Sequence, residues 1–325
     1  MGPDFGNLAL HRRMLRDRVR CESYRRAIME TVRPGNAVLD VGCGTGILGI
    51  FAVFAGAGKV YAVERTSVAE FARALARANG ADRCMEVMRQ EAERVELPES
   101  VDVVVSELLG HLGTDENFLK PILEVRDRWL KTGGAMIPSK VSSWMAPCED
   151  PHVEADMDFW EGRPYGVDLG LMAGVVARQI HRRRHDIGPE SLLADGEKLW
   201  ETDLLACPSE RKDLPLRASL TFRAKREGRL SALAGWFRAE LAPGIHLTNA
   251  PGAPDTHWGR VTFNLEKPLR VGKGQAIEVE FASEPVGPDE TYSRWAVRLE
   301  GKDWARQEQF GSLSPVSLPG VHRVG

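Results

Sequence analysis

Two glutamates nine residues apart, Glu107 and Glu116, are joined by a segment that begins Ser106-Glu107-Leu108-Leu109-Gly110 and passes through Gly113. Carboxylates brought close together repel and raise each other's pKa unless a cation lies between them. A planar guanidinium suits that gap, because its fork of donors can meet both carboxylates. Taken alone, the pair could equally be a helix N-cap and a solvated acid. A second cluster lies upstream, where Val38-Leu39-Asp40-Val41-Gly42-Cys43-Gly44-Thr45-Gly46-Ile47-Leu48 reads as a buried strand running into a glycine loop. Glycines at 42, 44 and 46 let the chain turn sharply and bring its backbone close to a ligand. Asp40 stands at the strand end, and the spacing is GxGxG rather than the GxGxxG of a nicotinamide site. Glu64 ends the next strand, 18 residues beyond Gly46, where a carboxylate can bind both hydroxyls of a ribose. A tight structural turn followed by a surface acid is the alternative. Strand, loop, helix and acid in that order point to a nucleoside cofactor.

These residues need a scaffold that gathers strand ends. Residues 11–30 carry apolar side chains at helical spacing, and Pro34-Gly35 ends that helix. Strands follow at 37–41, 60–64, 85–88, 101–105 and 134–137, with helices at 47–55, 67–79 and 117–130. Alternating strands and helices predict a parallel sheet with ligands at the carboxyl ends of its strands, so the site should lie above Asp40, Glu64 and Glu107. After Pro138 the texture changes to period-two runs at 219–223, 230–241, 261–265, 276–281 and 295–299. Those runs predict an antiparallel barrel or sandwich, with a helical and irregular stretch at about 151–205. The chain therefore reads as α/β, with a Rossmann-like domain over 1–138 and an antiparallel β-barrel domain over 139–325.

Composition narrows the function classes. A net charge of −3 offers no global field for nucleic acid or anionic lipid. The basic run His181-Arg182-Arg183-Arg184-His185 reads as a solvated face, so no nucleic-acid partner is expected. No apolar run reaches the roughly 20 residues that a membrane span needs, and the N-terminus lacks a signal-peptide core; a cytoplasmic protein without a membrane partner is expected. The five cysteines are scattered without a CxxC pair, which predicts reduced thiols and no structural metal.

The sequence resembles the protein arginine methyltransferase family over nearly its whole length. The segment from His11 to Arg20 is similar to the family's cofactor-covering helix, Val38 to Leu48 to its first motif, and Ser106 to Glu116 to its double-glutamate loop. Pro251-Gly252-Ala253-Pro254-Asp255-Thr256-His257-Trp258 is similar to its THW loop. The resemblance implies a Rossmann-like methyltransferase domain and S-adenosylmethionine as cofactor. Arg20 would hold its methionine carboxylate, with Asp40, Gly42 and Gly44 around that moiety. Glu64 would take the ribose, Ala92 and Glu93 would lie near the adenine, and Met14 would pack by the sulfonium. A surface salt bridge for Arg20 and a core contact for Met14 are the bland alternatives.

The implied substrate is an arginine, in a protein or as free L-arginine or another small guanidine. Its guanidinium stays protonated throughout the physiological pH range, so its nitrogens are poor nucleophiles. Glu107 and Glu116 would orient it and draw positive charge toward the nitrogens they bind, and orientation of this kind can supply roughly 7–11 kcal/mol. His257 would position the substrate, relay a proton or brace the double-glutamate loop, and Trp258 would form a packing wall. The family's YFxxY segment aligns with Met1 to Phe5, which keeps one aromatic; His111 and Phe118 replace a family tyrosine and methionine. Residues from about 165 to 192 resemble the family's dimerisation arm, implying a head-to-tail homodimer of two-fold symmetry. A non-catalytic scaffold and a nicotinamide oxidoreductase are the readings from other classes.

Overall fold

The computed structural model describes residues 6–176, 180–210, 216–287, 290–300 and 302–308. Met1 to Phe5, the span aligned with the aromatic-rich segment, lie outside the described residues. The chain opens with α1 (Leu8–Arg16) and α2 (Arg18–Thr31), where periodicity predicts a single helix. Asp17 separates them in an extended conformation, φ −71° and ψ 92°. Its Oδ1 accepts the Arg20 N–H at 2.9 Å and caps α2. Apolar spacing runs on through this break because it reports burial and not backbone conformation.

A parallel sheet follows, built from β1 (Ala37–Val41), α3 (Ile47–Phe54), β2 (Lys59–Val63), α4 (Val68–Ala78), β3 (Met85–Met88), β4 (Val101–Ser106), α5 (Leu119–Trp129) and β5 (Leu130–Ile137). The strand order is β3-β2-β1-β4-β5. Every residue of β1 is buried, which explains why the inner strands read as continuous apolar runs rather than alternating ones. The chain runs outward from β1 through β2 to β3, then returns to place β4 on the other side of β1. That reversal opens a crevice at the carboxyl ends of β1 and β4.

The remaining elements are β6 (Lys140–Cys148), α6 (Pro151–Glu161), α7 (Gly170–Val176), β7 (Ile180–Arg184), β8 (Glu197–Asp203), β9 (Leu216–Arg223), β10 (Gly228–Ala242), β11 (Ile245–Thr248), β12 (Arg260–Val271), β13 (Ala276–Gly287), β14 (Glu290–Leu299) and β15 (Ala305–Glu308). Where the sequence predicts an antiparallel barrel or sandwich, the structure has two antiparallel sheets. One runs β7-β12-β10-β6-β8 with β11 added on β10, and the other runs β15-β14-β13-β9. Their inner faces share one core, in which Phe281 meets Phe263 at 4.8 Å and Trp200 at 5.8 Å between ring centroids.

The stretch at 151–205 departs from its helical reading after α7, since it contains β7 and β8. β7 hides because four of its five residues are His or Arg, and it lies at the sheet edge beside β12. The basic run is accordingly not a uniform solvated face: Arg184 bridges Asp150, the N-cap of α6, at 2.8 Å and Asp186 at 2.8 Å. The core under the parallel sheet extends into the second half through Phe237, Leu241, Leu247 and Trp258, so the two halves pack as one body around the crevice.

Candidate active site

The glycine loop leaves β1 with Gly42, Gly44 and Gly46 all at positive φ, 69°, 52° and 81°. Their lack of side chains is used: a Cβ on Gly42 would lie 2.6 Å from Leu108 Cδ2, and one on Gly44 would lie 2.9 Å from His11 Cε1. The loop is thus wedged between the segment after β4 and helix α1. Glu64 organises it from β2, accepting the Gly44 N–H at 3.0 Å on Oε2 and the Thr66 N–H at 2.7 Å on Oε1. Asp40 sits beneath, fully buried, with Oδ2 accepting the Gly49 N–H at 2.8 Å. Its Oδ1 has no hydrogen-bond partner among the described residues. Burial pushes the Asp40 carboxyl up to about 7, with the Gly49 N–H opposing and the Glu64 charge adding to the shift.

Across the crevice, Glu107 leaves β4 and takes a guanidinium from within the chain. Arg20 Nε and Nη2 both donate to Glu107 Oε2, at 2.6 Å and 2.5 Å, while Oε1 accepts the Leu109 N–H at 3.2 Å. Burial alone would loosen the Arg20 proton, but the charge and hydrogen bond of Glu107, joined by the neighbouring Cys21 and Tyr24, together outweigh it and the arginine pKa is raised. Glu116 lines the same cavity from the far end of the loop.

The loop between the two glutamates is held from the second half of the chain. Trp258 Nε1 donates to Leu109 O at 2.7 Å, Asn249 Nδ2 to His111 O at 2.8 Å and Ser143 Oγ to Leu112 O at 2.6 Å. Trp200 Nε1 donates to Thr114 Oγ1 at 3.1 Å, and Thr291 Oγ1 to Asp115 O at 2.9 Å. Five donors from four distant segments therefore fix the path that carries one glutamate to the other.

His257 braces a different element from the double-glutamate loop. Its N–H and its Nδ1 both meet Asp17 Oδ2, at 2.7 Å and 2.9 Å, and so lock the α1–α2 junction over the crevice. Burial would raise the Asp17 carboxyl, yet the hydrogen bonds from His257 and from the Arg20 backbone bring it below its ordinary value.

One cavity gathers the predicted residues. Met14, Arg20, Gly42, Gly44, Glu64, Ala92, Glu93, Glu107, Glu116, His257 and Trp258 all line it, and Asp40 lies under its floor rather than in its wall. His111 and Phe118 also face it. Sequence reasoning missed Ser143, Trp200, Asn249 and Thr291, for which no local signal exists because their partners lie 31 to 176 residues away. Asp17 lies within the segment similar to the covering helix, and its capping role is readable from an Asp immediately before the helix-forming run that starts at Arg18.

Comparison with known proteins gives this arrangement a family. A family model described as the arginine methyltransferase oligomerization subdomain matches residues 140–295, and one described as ribosomal protein L11 methyltransferase matches residues 25–141. Protein arginine N-methyltransferase 6 of Xenopus laevis is 33% identical over 86% of this chain and 85% of its own length. The chain belongs to the protein arginine N-methyltransferase family. Protein arginine N-methyltransferase PRMT10 of Oryza sativa subsp. japonica is 36% identical over 82% of this chain and 78% of its own. Among solved structures, protein arginine methyltransferase 10 of Arabidopsis thaliana, described in a uniquely open conformation, superposes with a TM-score of 0.80 at 29% identity, covering 94% of this chain and 97% of that one. The fold also matches the Trypanosoma brucei PRMT1 enzyme–prozyme complex with AdoHcy, with a TM-score of 0.86 at 24% identity and coverage of 94% and 99%. In this chain the parallel sheet precedes the segment that the oligomerization-subdomain model matches, and the cavity is lined by residues from both.

Proposed function

We propose that this chain transfers a methyl group from S-adenosylmethionine to an arginine guanidinium held between Glu107 and Glu116. The observation that carries the reading is the Arg20–Glu107 contact, in which a carboxylate of the cavity already engages a guanidinium through two donors. The glycine cradle suits a cofactor with a ribose and a carboxylate tail. Gly42 and Gly44 bring backbone to the cavity wall without a side chain, and Glu64 keeps lone pairs for hydroxyls beyond the two N–H groups it accepts. Arg20 would hold the cofactor's carboxylate, Ala92 and Glu93 would flank the adenine, and Met14 would cover the sulfonium.

The bound cofactor supplies an electrophilic methyl on a positively charged sulfur. Glu107 and Glu116 then have three tasks. They neutralise the repulsion between guanidinium and sulfonium, aim one nitrogen at the methyl, and polarise charge toward the nitrogens they bind. With the cofactor bound, the nitrogen aimed by Glu107 and Glu116 would take the methyl from the sulfur, and its extra proton would then leave toward one of these carboxylates or water. His257, already bonded to Asp17, serves by holding α1 and α2 closed over the site.

The covering helix bears on the substrate. α1 contains no acidic residue, Arg12, Arg13, Arg16 and Arg18 are exposed, and Arg13 reaches the cavity wall. The Arg13 charge at the wall, with exposed arginines on the same helix, disfavours arginine-rich peptides and favours a guanidine whose neighbouring group is anionic, such as the α-carboxylate of free L-arginine. Assays of methyl transfer to free L-arginine and to an arginine-rich peptide separate the two: turnover of the free amino acid supports the small substrate, and an inert free amino acid at millimolar levels leaves protein arginine.

A homodimer is also proposed. Phe159 on α6, Tyr165 and Val167 in the turn that follows and Leu171 on α7 are exposed, and so are Phe54, Phe71 and Leu75 on α3 and α4. Two such apolar faces on one chain suit a head-to-tail arrangement closed by two-fold symmetry. Light scattering should give twice the 36.0 kDa chain mass at micromolar concentration, and a monomer would overturn the arrangement.

A further inference from the structure

Asp115 is a buried acid one residue before Glu116, and it stands outside the cavity wall. Its Oδ1 accepts the Leu112 N–H at 2.8 Å and closes the loop back on itself. Gly110 packs so tightly on that carboxylate that a Cβ there would lie 2.1 Å from Oδ1. Gly110 and Gly113 exchange backbone hydrogen bonds of 3.3 Å and 3.0 Å across the same turn. Oδ2 faces Arg182 Nε of β7 at 4.0 Å, the one ion-pair contact of this carboxylate among the described residues. A solvated acid would need none of this packing, and a buried acid without a task would be replaced at no loss by an apolar side chain.

We propose that Asp115 is a positioning residue for the glutamate pair: its carboxylate fastens the turn at Leu112 and Gly110 and thereby sets where Glu116 stands relative to Glu107, with Arg182 as counter-charge. The inference rests on reading Glu107 and Glu116 as the guanidinium clamp. Asp115 touches neither substrate nor cofactor. It acts through the turn, in which the five donors from the second half hold the loop from outside and Asp115 holds it from inside. Burial raises the Asp115 carboxyl, and the nearby Arg182 charge opposes that rise.

The test compares Asp115→Ala, Asp115→Asn, Gly110→Ala and Glu116→Gln in the full-length chain, with turnover, guanidine KM and calorimetric cofactor affinity measured on each. Asp115→Ala should raise the guanidine KM at least tenfold while cofactor affinity stays within twofold, and Asp115→Asn should restore most of the loss because its amide oxygen still accepts the Leu112 N–H. Gly110→Ala, which drives a methyl into the carboxylate, should reproduce the Asp115→Ala effect, and it carries the test if the alanine chain does not fold. The Gly110→Ala/Asp115→Ala double variant should be no worse than either single one. A guanidine KM near wild type in Asp115→Ala or Gly110→Ala, with Glu116→Gln inactive, would overturn the positioning role alone. Near-normal turnover in Glu116→Gln would instead overturn the clamp on which it rests.

Discussion

Arg20 places two donors on a single oxygen of Glu107, at 2.6 Å and 2.5 Å, with both side chains less than a tenth exposed. Removing one partner of such a buried pair leaves the other charge uncompensated, at a cost of about 3–5 kcal/mol. Arg20→Ala should therefore lower the unfolding free energy by that amount, and Arg20→Lys, which keeps the charge without the planar fork, by less. Denaturant melts measure both. A loss below about 1 kcal/mol in Arg20→Ala would mean that water or a neighbour already screens Glu107.

The Asp40 carboxyl, pushed up to about 7, predicts a pH dependence of stability. In the unfolded chain an aspartate titrates near 3.9, so the folded state binds this proton more tightly. The penalty of the buried ionised form is present in full above about pH 7 and fades as pH falls toward about 4, an effect on the order of 4 kcal/mol. Asp40→Asn abolishes that titration. The stability of the variant relative to wild type should thus improve from about pH 5 to about pH 8. A difference that stays constant across that range would contradict the assignment.

Gly42 is held at φ 69°, where a Cβ would lie 2.6 Å from Leu108 Cδ2. An alanine there must adopt a left-handed conformation that costs about 1–2 kcal/mol and must displace the Leu108 side chain as well. Gly42→Ala should weaken cofactor binding by roughly tenfold or more, read by calorimetry. Unchanged affinity would show that the loop does not approach the cofactor closely.

Trp258 fixes the start of the double-glutamate loop through Leu109 O while its ring packs edge-on against Phe237 at 5.0 Å. Trp258→Phe keeps most of the packing and leaves a buried carbonyl unpaired, at a cost of about 1–3 kcal/mol. The guanidine KM should rise with cofactor affinity preserved. A parallel loss of both would assign Trp258 to general packing instead.

Much of the site was legible because strand ends carry it. Asp40, Glu64 and Glu107 follow apolar runs that only a buried parallel sheet explains, and the glycines between 42 and 46 mark the turn beside them. The break at Asp17 was not legible, since the apolar spacing of α1 and α2 stays in phase across it. β7 was invisible for a different reason: an edge strand rich in His and Arg has no period-two apolar face. The hydrogen bonds from Ser143, Trp200, Asn249 and Thr291 escaped as well, because such contacts are set by how the sheets pack and leave no trace in local sequence. His257 illustrates the limit most sharply. Its presence was readable from the THW motif, while its partner, Asp17, lies 240 residues away and only the folded chain joins them.

The most direct test of the account follows the methyl group. Mass spectrometry of products formed from S-adenosylmethionine with free L-arginine and with an arginine-containing peptide should show a mass increase of one or more methyl groups on a guanidinium nitrogen for the wild-type chain. Glu107→Gln and Glu116→Gln should each lose most of that product, roughly a hundredfold or more, while still binding the cofactor. Near-normal product from either variant, or no guanidine methylation by the wild-type chain with either substrate, would contradict it.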